Sequence, residues 1–233
     1  MKVNPRRFLD TVGGDAKIRF AMPSRYPILL LSLFLLWWSW LAVAPLYRQD
    51  WLLENALVFV SLPLLVLTYP KLRLSNFAYT MLFVFFSLHA VGAHYTYAEV
   101  PYQQWSRMVL GFDINDVFGW RRNHFDRLVH LGYGLLVTPA AIEVLDTYAP
   151  QRGIWRFLVP WLFMISHGTL YETIEWGAAE FFGGDLGQAY LGTQGDVWDS
   201  QKDTALAGLG ALISVALCRW GGRILQPGFN HPR

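Results

Sequence analysis

The amino-acid sequence predicts an all-α membrane protein, a polytopic bundle of about six transmembrane helices. Of its 233 residues, 54% are hydrophobic and only 15% are charged, whereas a soluble domain carries about 25% charged residues. The apolar residues are also grouped into runs of about 20, the length that a helix needs to cross a hydrocarbon layer about 30 Å thick. Both observations favour a membrane-embedded bundle over a soluble domain.

The predicted membrane-spanning helices are 27–47, 51–69, 74–97, 124–146, 154–182 and 203–221. The first three and the sixth are strongly apolar, whereas the fourth and fifth carry pairs of polar residues. The first run has no charged residue, but a long segment precedes it and further spans follow. It is therefore interpreted as a retained helix and not as a signal peptide. We expect a basic N-terminal tail, 1–26, followed by one transmembrane helical domain, 27–233.

The distribution of Lys and Arg predicts the orientation of the bundle, because short cytoplasmic loops are enriched in these residues. One side carries Lys2, Arg6, Arg7, Lys17, Arg19, Arg25, Lys71, Arg73, Arg152, Arg156, Arg219, Arg223 and Arg233, and the other carries Arg48, Arg107, Arg121, Arg122, Arg127 and Lys202. The first side is therefore predicted to be cytoplasmic, with both termini on it. The two longest loops, 98–123 and 183–202, are then expected on the outer side.

Acidic and histidine residues occur in pairs inside or at the ends of the apolar runs. The pairs are Asp126 with His130, Glu172 with Glu175, Asp199 with Asp203, and His89 with His94. The first three have helical spacing, so both members can project from one helix face. An ionisable group in a membrane segment costs roughly 2.5–3.5 kcal/mol on insertion scales, and by default it indicates a functional site. In the predicted orientation every pair lies near the outer membrane face, which predicts one shared cavity that opens outward.

The pair in span 4 joins a carboxylate to an imidazole. Asp126 can accept a proton from His130, which would select the tautomer of the imidazole and raise its basicity. The alternative is that Asp126 compensates the dipole at a helix N-terminus while His130 packs against a neighbouring helix.

The pair in span 5 places two carboxylates on one helix face. Glu172 and Glu175 continue a face that also contains Gly168 and Ala179, and they repel each other unless they share a proton or hold a cation. The alternative is that one of them points to the aqueous rim. His167 lies off this face and is expected to pack or to cap a network.

The outer loop before span 6 is rich in glycine and aspartate. Asp196, Asp199 and Asp203 have the spacing i, i+3, i+7 and would form one stripe if the segment is helical. Gln194 and Gln201 lie in the same stretch, whose glycines allow the backbone to approach a ligand. The alternative is a solvated turn in which Asp199 or the following serine caps the next helix.

Histidine and tyrosine residues end span 3. His94 and Tyr97 are candidate ligand contacts, and His94 is favoured over His89. The alternative is an interfacial belt of aromatic side chains. Glu54, early in span 2, also lies on the outer half and is a candidate to join the polar network.

Several function classes are disfavoured by features that the sequence lacks. Cys218 is the only cysteine, so an internal disulfide is excluded and a thiolate metal site is disfavoured. The net charge of +2 and the lack of a basic patch interleaved with aromatics argue against nucleic-acid binding. No glycine-rich phosphate loop, HExxH or GxSxG motif is present.

The sequence resembles the YjdF-like family of bacterial inner-membrane proteins, a family of unknown function. The resemblance rests on the segments 89–97, 126–134, 172–176 and 192–203 and covers nearly all of the chain after the basic tail. The glycine-aspartate segment 192–203 is its most specific part. The resemblance implies a multi-pass protein of the bacterial inner membrane.

A looser similarity is to the VanZ-like membrane proteins, which are associated with glycopeptide tolerance. Asp126, His130 and Glu172 match the acidic and histidine positions of that pattern. Glu175 stands where that family usually has Gln, and Ala207 stands where it has Asn. The shared order of the motifs implies common ancestry.

The leading hypothesis is an outward-facing Asp/Glu/His site that binds a divalent cation and acts on a lipid or another cell-envelope ligand. If it is an enzyme, metal-assisted hydrolysis or phosphoryl transfer is the expected class. The predicted metal ligands are Asp126, Glu172, Asp199 and Asp203, the catalytic residues are His130 and Glu175, and the ligand contacts are His94, Tyr97, Gln194 and Gln201. The alternatives are a proton-coupled transporter of a small ligand, or a non-catalytic binding or structural protein held together by a buried polar network.

Overall fold

Every regular element that the structure, a computed structural model, describes is an α-helix. Residues 25–184, 187 and 191–225 are described, with side chains up to residue 220. In chain order the helices include α1 (Arg25–Leu41), α2 (Arg48–Glu54), α3 (Ala56–Thr68), α4 (Asn76–His94), α5 (Tyr102–Leu110), α6 (Ile114–Phe118), α7 (Phe125–Tyr148), α8 (Trp155–Phe182) and α9 (Asp199–Leu225). The predicted all-α fold is confirmed. The predicted basic tail, 1–26, lies almost wholly outside the described residues.

Four helical segments in the described part of the chain are long and apolar enough to cross a membrane. They are Arg48–Thr68, which comprises α2 and α3, together with α4, α7 and Asp199–Trp220 of α9. These segments confirm a polytopic membrane protein. The first predicted span, 27–47, forms the shorter α1 of 17 residues, and the fifth forms α8, which is 28 residues long and is not one of these four.

Helix α7 lies at the centre of the bundle. It packs against α4 on one side and against α8 and α9 on the other, while α1 packs against α4 and α9 packs against α8. The core between α4 and α7 is built from buried aromatic and aliphatic side chains such as Phe85, Phe86 and Val129. The outward surface is also apolar, since Leu36, Val60 and Leu67 are each more than 60% exposed. Apolar residues on both faces are expected of helices that are surrounded by lipid.

The second predicted span, 51–69, is interrupted at Asn55, between α2 and α3. This side chain is fully buried, its amide donates to the Trp51 carbonyl at 2.7 Å, and its oxygen accepts from the Trp38 indole at 2.5 Å. The Asn55 amide therefore satisfies a carbonyl near the end of α2. The interruption places Glu54, the last residue of α2, inside the bundle, where it is 5% exposed.

Helices α7 and α9 approach each other so closely that only glycine fits at the crossing. A Cβ atom on Gly134 would lie 1.9 Å from the Ala207 carbonyl oxygen, and one on Gly210 would lie 2.3 Å from the Leu131 carbonyl oxygen. Small residues at helix crossings allow such contact between backbones in membranes. The crossing sets the first turns of α7 beside the first turns of α9.

Hydrogen bonds fasten the end of the bundle that is remote from these first turns. Glu143 of α7 accepts hydrogen bonds from the backbone and hydroxyl of Ser75 at 2.7 and 2.5 Å, at the residue that caps α4. Asp146 accepts two hydrogen bonds from Arg219 of α9, at 2.6 and 2.7 Å. These contacts hold α4, α7 and α9 at one end.

The predicted loop 98–123 contains two short helices, α5 and α6. Each ends at a glycine with a left-handed backbone, Gly111 with φ 80° and Gly119 with φ 65°. Glycine adopts this conformation without the steric cost of a Cβ atom. The helices were missed because each is far shorter than a membrane span.

We expect Gly134→Ala to destabilise the protein, because the added methyl group would overlap the Ala207 backbone. Overpacking of this kind costs about 1–3 kcal/mol. The measurement is thermal unfolding of the purified protein in detergent. Gly177→Ala is the matched control, since a Cβ atom there meets no atom within 4 Å. Equal melting temperatures for the two variants would contradict the close crossing.

Candidate functional site

A cavity of about 60 Å³ lies among α2, α4, α7 and α8, near the end of the bundle where α7 begins. A single buried water needs roughly 10–15 Å³, so the cavity has room for several waters or for an ion with part of its hydration shell. Its polar wall contains Glu54, His89, Asp126, His130 and Glu175. Phe85, Val129 and Tyr133 form part of its apolar wall.

Three predicted site residues converge at this end of the bundle. Asp126, in the first turn of α7, His130, one turn later, and Asp203, one turn into α9, each offer a ligand atom, and these atoms all lie within 4.8 Å of one another. The i, i+4 spacing predicted that Asp126 and His130 share a face, and His130 Nε2 lies 3.5 Å from Asp126 Oδ1. Asp203 is only 2% exposed.

Glu172 of α8 extends this group. Its Oε1 atom lies 3.3 Å from His130 Nε2, so the imidazole stands between two carboxylates from different helices. Glu175, one turn later, lines the cavity, whereas Glu172 and Asp203 are not among its lining residues. Both glutamates lie on the partly buried face of α8, with Gly168 and Ala179, while the residues between them are exposed. The predicted arrangement of this face is therefore what the structure shows.

The carboxylates of the site have more hydrogen-bond acceptors than the described residues supply with donors. Three buried oxygens, Glu54 Oε2, Glu172 Oε1 and Asp203 Oδ1, have no hydrogen-bond partner among the described residues. Leaving a buried polar atom unsatisfied costs about 1–3 kcal/mol. Each oxygen can only accept a proton, a hydrogen bond or a metal ion. The chemistry of the site is thus that of a cation or proton acceptor.

Asp199 lies in a different environment from the other predicted metal ligands. Arg122 donates to its Oδ1 at 2.5 Å and to its Oδ2 at 3.3 Å, and Arg127 donates to Oδ1 at 3.3 Å. Its carboxylate therefore already binds two guanidinium groups. Sequence spacing could not reveal these contacts because Arg122 is 77 residues from Asp199.

Asp196 belongs to the same ion-pair network and precedes the first turn of α9. The stripe predicted for Asp196, Asp199 and Asp203 is therefore helical only from Asp199 onward. Lys202 and Arg127 donate to Asp196 Oδ2 at 2.6 and 2.5 Å. The hydrogen bond from Lys202, followed by that from a backbone amide, holds the pKa of Asp196 well below its ordinary value.

The two glutamines predicted to contact a ligand differ in position. Gln194 bonds the backbone of Asn123: its Oε1 accepts from the amide at 2.9 Å and its Nε2 donates to the carbonyl at 3.1 Å. This double contact ties the segment before α9 to the segment before α7. Gln201 is exposed on the first turn of α9. Neither is among the residues that line the cavity.

The other two predicted ligand contacts, His94 and Tyr97, also differ in position. His94 Nδ1 is hydrogen-bonded to the Leu41 carbonyl at 2.7 Å and lies outside the cavity wall. Tyr97 lines the cavity, and its hydroxyl donates to Nδ1 of the fully buried His89, whose Nε2 donates to the Glu54 carbonyl at 3.1 Å. The preference for His94 over His89 therefore does not match their positions, since His89 is the histidine in the cavity wall.

Tyr97 is held in place by an uncommon backbone. Thr96 and Tyr97 have φ of 53° and 54°, a left-handed conformation that few residues other than glycine adopt. The Tyr97 ring packs over Gly92, where a Cβ atom would lie 2.5 Å from it. Residues kept in such conformations cluster at functional sites, and here they form part of the cavity wall.

Comparisons with known proteins agree with a membrane location. Residues 26–223 match the family described as Predicted membrane protein (DUF2238). The inner membrane protein YjdF of Escherichia coli (strain K12) is 36% identical over 170 residues, which cover 72% of this chain and 77% of that protein. No solved structure matches the chain.

We expect Asp199→Asn to lower the stability of the protein, because Arg122 would lose its nearest carboxylate and Asp196 alone would then face both Arg122 and Arg127. Their side chains are only 13% and 17% exposed, and removing one partner of a buried pair costs on the order of 3 kcal/mol. The measurement is chemical unfolding in detergent. Lys202→Met is the control, since that lysine is half exposed and should cost little. If Asp199→Asn unfolds at the same denaturant concentration as Lys202→Met, the network is not what holds α9 to α7.

Proposed function

Because the chain belongs to the DUF2238 family of predicted membrane proteins and is a relative of the inner membrane protein YjdF, we propose that the cluster of carboxylates around His130, which shares Asp126 and His130 with the cavity wall, is a divalent-cation site. The site acts on a lipid or another cell-envelope ligand. The supporting observation is the excess of acceptors: Asp126, Glu172 and Asp203 lie close to the His130 imidazole, and Glu172 and Asp203 each have a buried oxygen without a hydrogen-bond partner among the described residues. A bound cation would satisfy these oxygens and offset their mutual repulsion.

Asp126, His130 and Asp203 are the primary ligands, and Glu172 is the fourth. Their ligand atoms are close enough that small side-chain rotations would bring them to one ion at about 2.0–2.2 Å. Imidazole together with carboxylates suits ions such as Zn²⁺ or Mn²⁺, whereas Ca²⁺ usually takes six to eight oxygen ligands. Asp199 is left out of the ligand set because it already binds Arg122 and Arg127.

The reaction class that fits these residues is metal-assisted hydrolysis or phosphoryl transfer. The ion, when bound, would supply Lewis acidity and activate water for attack. Glu175 lines the same cavity and is positioned to accept a proton as the general base. The aromatic and aliphatic wall formed by Phe85, Val129 and Tyr133 excludes bulk water and suits the apolar part of an amphiphilic ligand.

The site faces the outside of the cell in this proposal, with both termini in the cytoplasm. The excess of Lys and Arg on the opposite side supports that orientation. In the structure the first turns of α7 and α9 lie side by side, so Asp126 and Asp203 belong to one membrane face whichever face that is.

The purified protein is expected to bind about one divalent ion per chain, measured by elemental analysis and by titration with Zn²⁺ and Mn²⁺. Asp126→Asn and Asp203→Asn should lose the ion, because each removes a charged ligand. Glu143→Gln is the control: it removes a carboxylate from the far end of the same helix, where Ser75 is the partner.

All variants are checked for an unchanged melting temperature before their metal content is compared. A folded wild-type protein that binds neither Zn²⁺ nor Mn²⁺ would contradict the proposal. Equal binding by Asp126→Asn and Glu143→Gln would do the same for this ligand set.

The orientation is tested by cysteine labelling in intact cells with the native Cys218 changed to Ser. Gln201→Cys, at the exposed start of α9, should react with a membrane-impermeant maleimide from outside. Arg152→Cys, exposed between α7 and α8, should react only after lysis. The reverse pattern would place the cavity on the cytoplasmic side.

A further inference from the structure

Helices α5 and α6 form a compact hairpin, residues 102–119, whose polar groups are bonded within it. Arg107 pairs with Asp113 at 2.5 Å, and Asp113 caps α6 by accepting from the Asn115 amide at 2.8 Å. The Ser106 hydroxyl accepts from the Ile114 amide at 3.3 Å. The hairpin therefore has a fixed shape and is not a loose connection.

One side of the hairpin is fastened to the bundle. The Tyr102 hydroxyl donates to the Asn115 side chain at 2.7 Å and accepts from the His124 amide at 3.0 Å. Asn115 in turn donates to the Arg122 carbonyl at 2.9 Å.

The other side of the hairpin is apolar and uncovered. Met108 and Val109 on α5 are 75% and 81% exposed, and Val117 and Phe118 on α6 are 62% and 64% exposed. The exposed Trp105 precedes Met108 and Val109 by three and four residues, so these three side chains form one stripe of α5. Contiguous exposed apolar surface of this kind indicates contact with a membrane or with another molecule.

The position of the hairpin in the chain indicates that the membrane, and not another protein, covers this apolar surface. The preceding α4 and the following α7 are both long and apolar enough to cross it, so the hairpin starts and ends at the same membrane surface. Trp105 belongs to the stripe and Trp120 stacks on Phe118, and tryptophan is enriched at the boundary between lipid headgroups and acyl chains.

We propose that the hairpin lies flat in the headgroup layer of the membrane, with Met108, Val109, Val117 and Phe118 inserted among the upper parts of the acyl chains. Lipid is the molecule that covers the apolar stripe, and the charged Asp116 faces the aqueous side. An amphipathic helix with a polar face and a short apolar stripe binds membranes in this manner. The proposal does not depend on the cation site.

The attachment of the hairpin has a consequence for the cavity. Asn115 bonds the backbone of Arg122, and Arg122 binds Asp199 one turn before Asp203. If the hairpin lies among headgroups, the carboxylate cluster lies close to the same depth, within reach of the polar head of a membrane lipid.

Fluorescence quenching tests the position of the hairpin. Val109→Cys and Val117→Cys are prepared in the Cys218→Ser background, labelled with an environment-sensitive fluorophore and reconstituted into phosphatidylcholine and phosphatidylglycerol vesicles. Asp116→Cys, next to Val117 on the same helix, is the matched control. Lipids that carry a doxyl group on the upper acyl chain should quench the labels at 109 and 117 about twofold or more strongly than the label at 116. Aqueous iodide should show the reverse order.

Two outcomes would overturn the proposal. If iodide quenches all three labels equally, the stripe faces water. If the labels at 109 and 117 are shielded from both iodide and doxyl lipid, a protein covers the stripe, either a second copy of the chain or another partner. Because all three positions are exposed, the labelled variants are expected to fold, and their melting temperatures verify this.

Discussion

The close crossing of α7 and α9 is the contact on which the rest of the structure depends. Gly134 and Gly210 let the two backbones touch, and no larger side chain fits there. One end of the crossing carries the Asp126, His130 and Asp203 cluster, and the other carries the pairing of Asp146 with Arg219. The crossing and the pair of Asp146 with Arg219 therefore set the relative position of the two helices that carry the cluster.

The acidic side chains near this crossing fall into two groups, which differ in whether cationic side chains pair with them. Asp196 and Asp199 are neutralised by Arg122, Arg127 and Lys202 at the rim of the bundle. The carboxylates of Glu54, Glu172 and Asp203 each have a buried oxygen without a hydrogen-bond partner among the described residues, and only Glu172 faces a potential cation, His130. Burying a charge is costly unless it is paired. The first group is paired and therefore stabilises the fold, whereas the second lowers the stability of the fold, as is common for residues that are kept for function.

The sequence predicts which site residues share a helix face, because that depends only on their spacing within one helix. The spacing of Asp126 with His130 and of Glu172 with Glu175 predicted which residues share a face, and apolar run length predicted the bundle. What was missed depends on contacts between distant parts of the chain. Glu54 was a candidate for the polar network and does line the cavity, but the helix break at Asn55 beside it and the pairing of Asp199 with Arg122 have no local signature in the sequence. Helices α5 and α6 were also missed, because the search for runs of membrane-spanning length does not detect such short helices.

The place of α9 in the chain has a consequence for how the protein is made. Helix α9 follows every other described helix, yet it supplies Asp203 to the cluster and Asp199 to the arginines of the segment before α7. During synthesis, Arg122 and Arg127 are therefore made before Asp196 and Asp199, the carboxylates that pair with them, whereas His130 already has Asp126 and Glu172 beside it. Insertion of α9 then adds Asp199 to the two arginines and Asp203 to the cluster in one step.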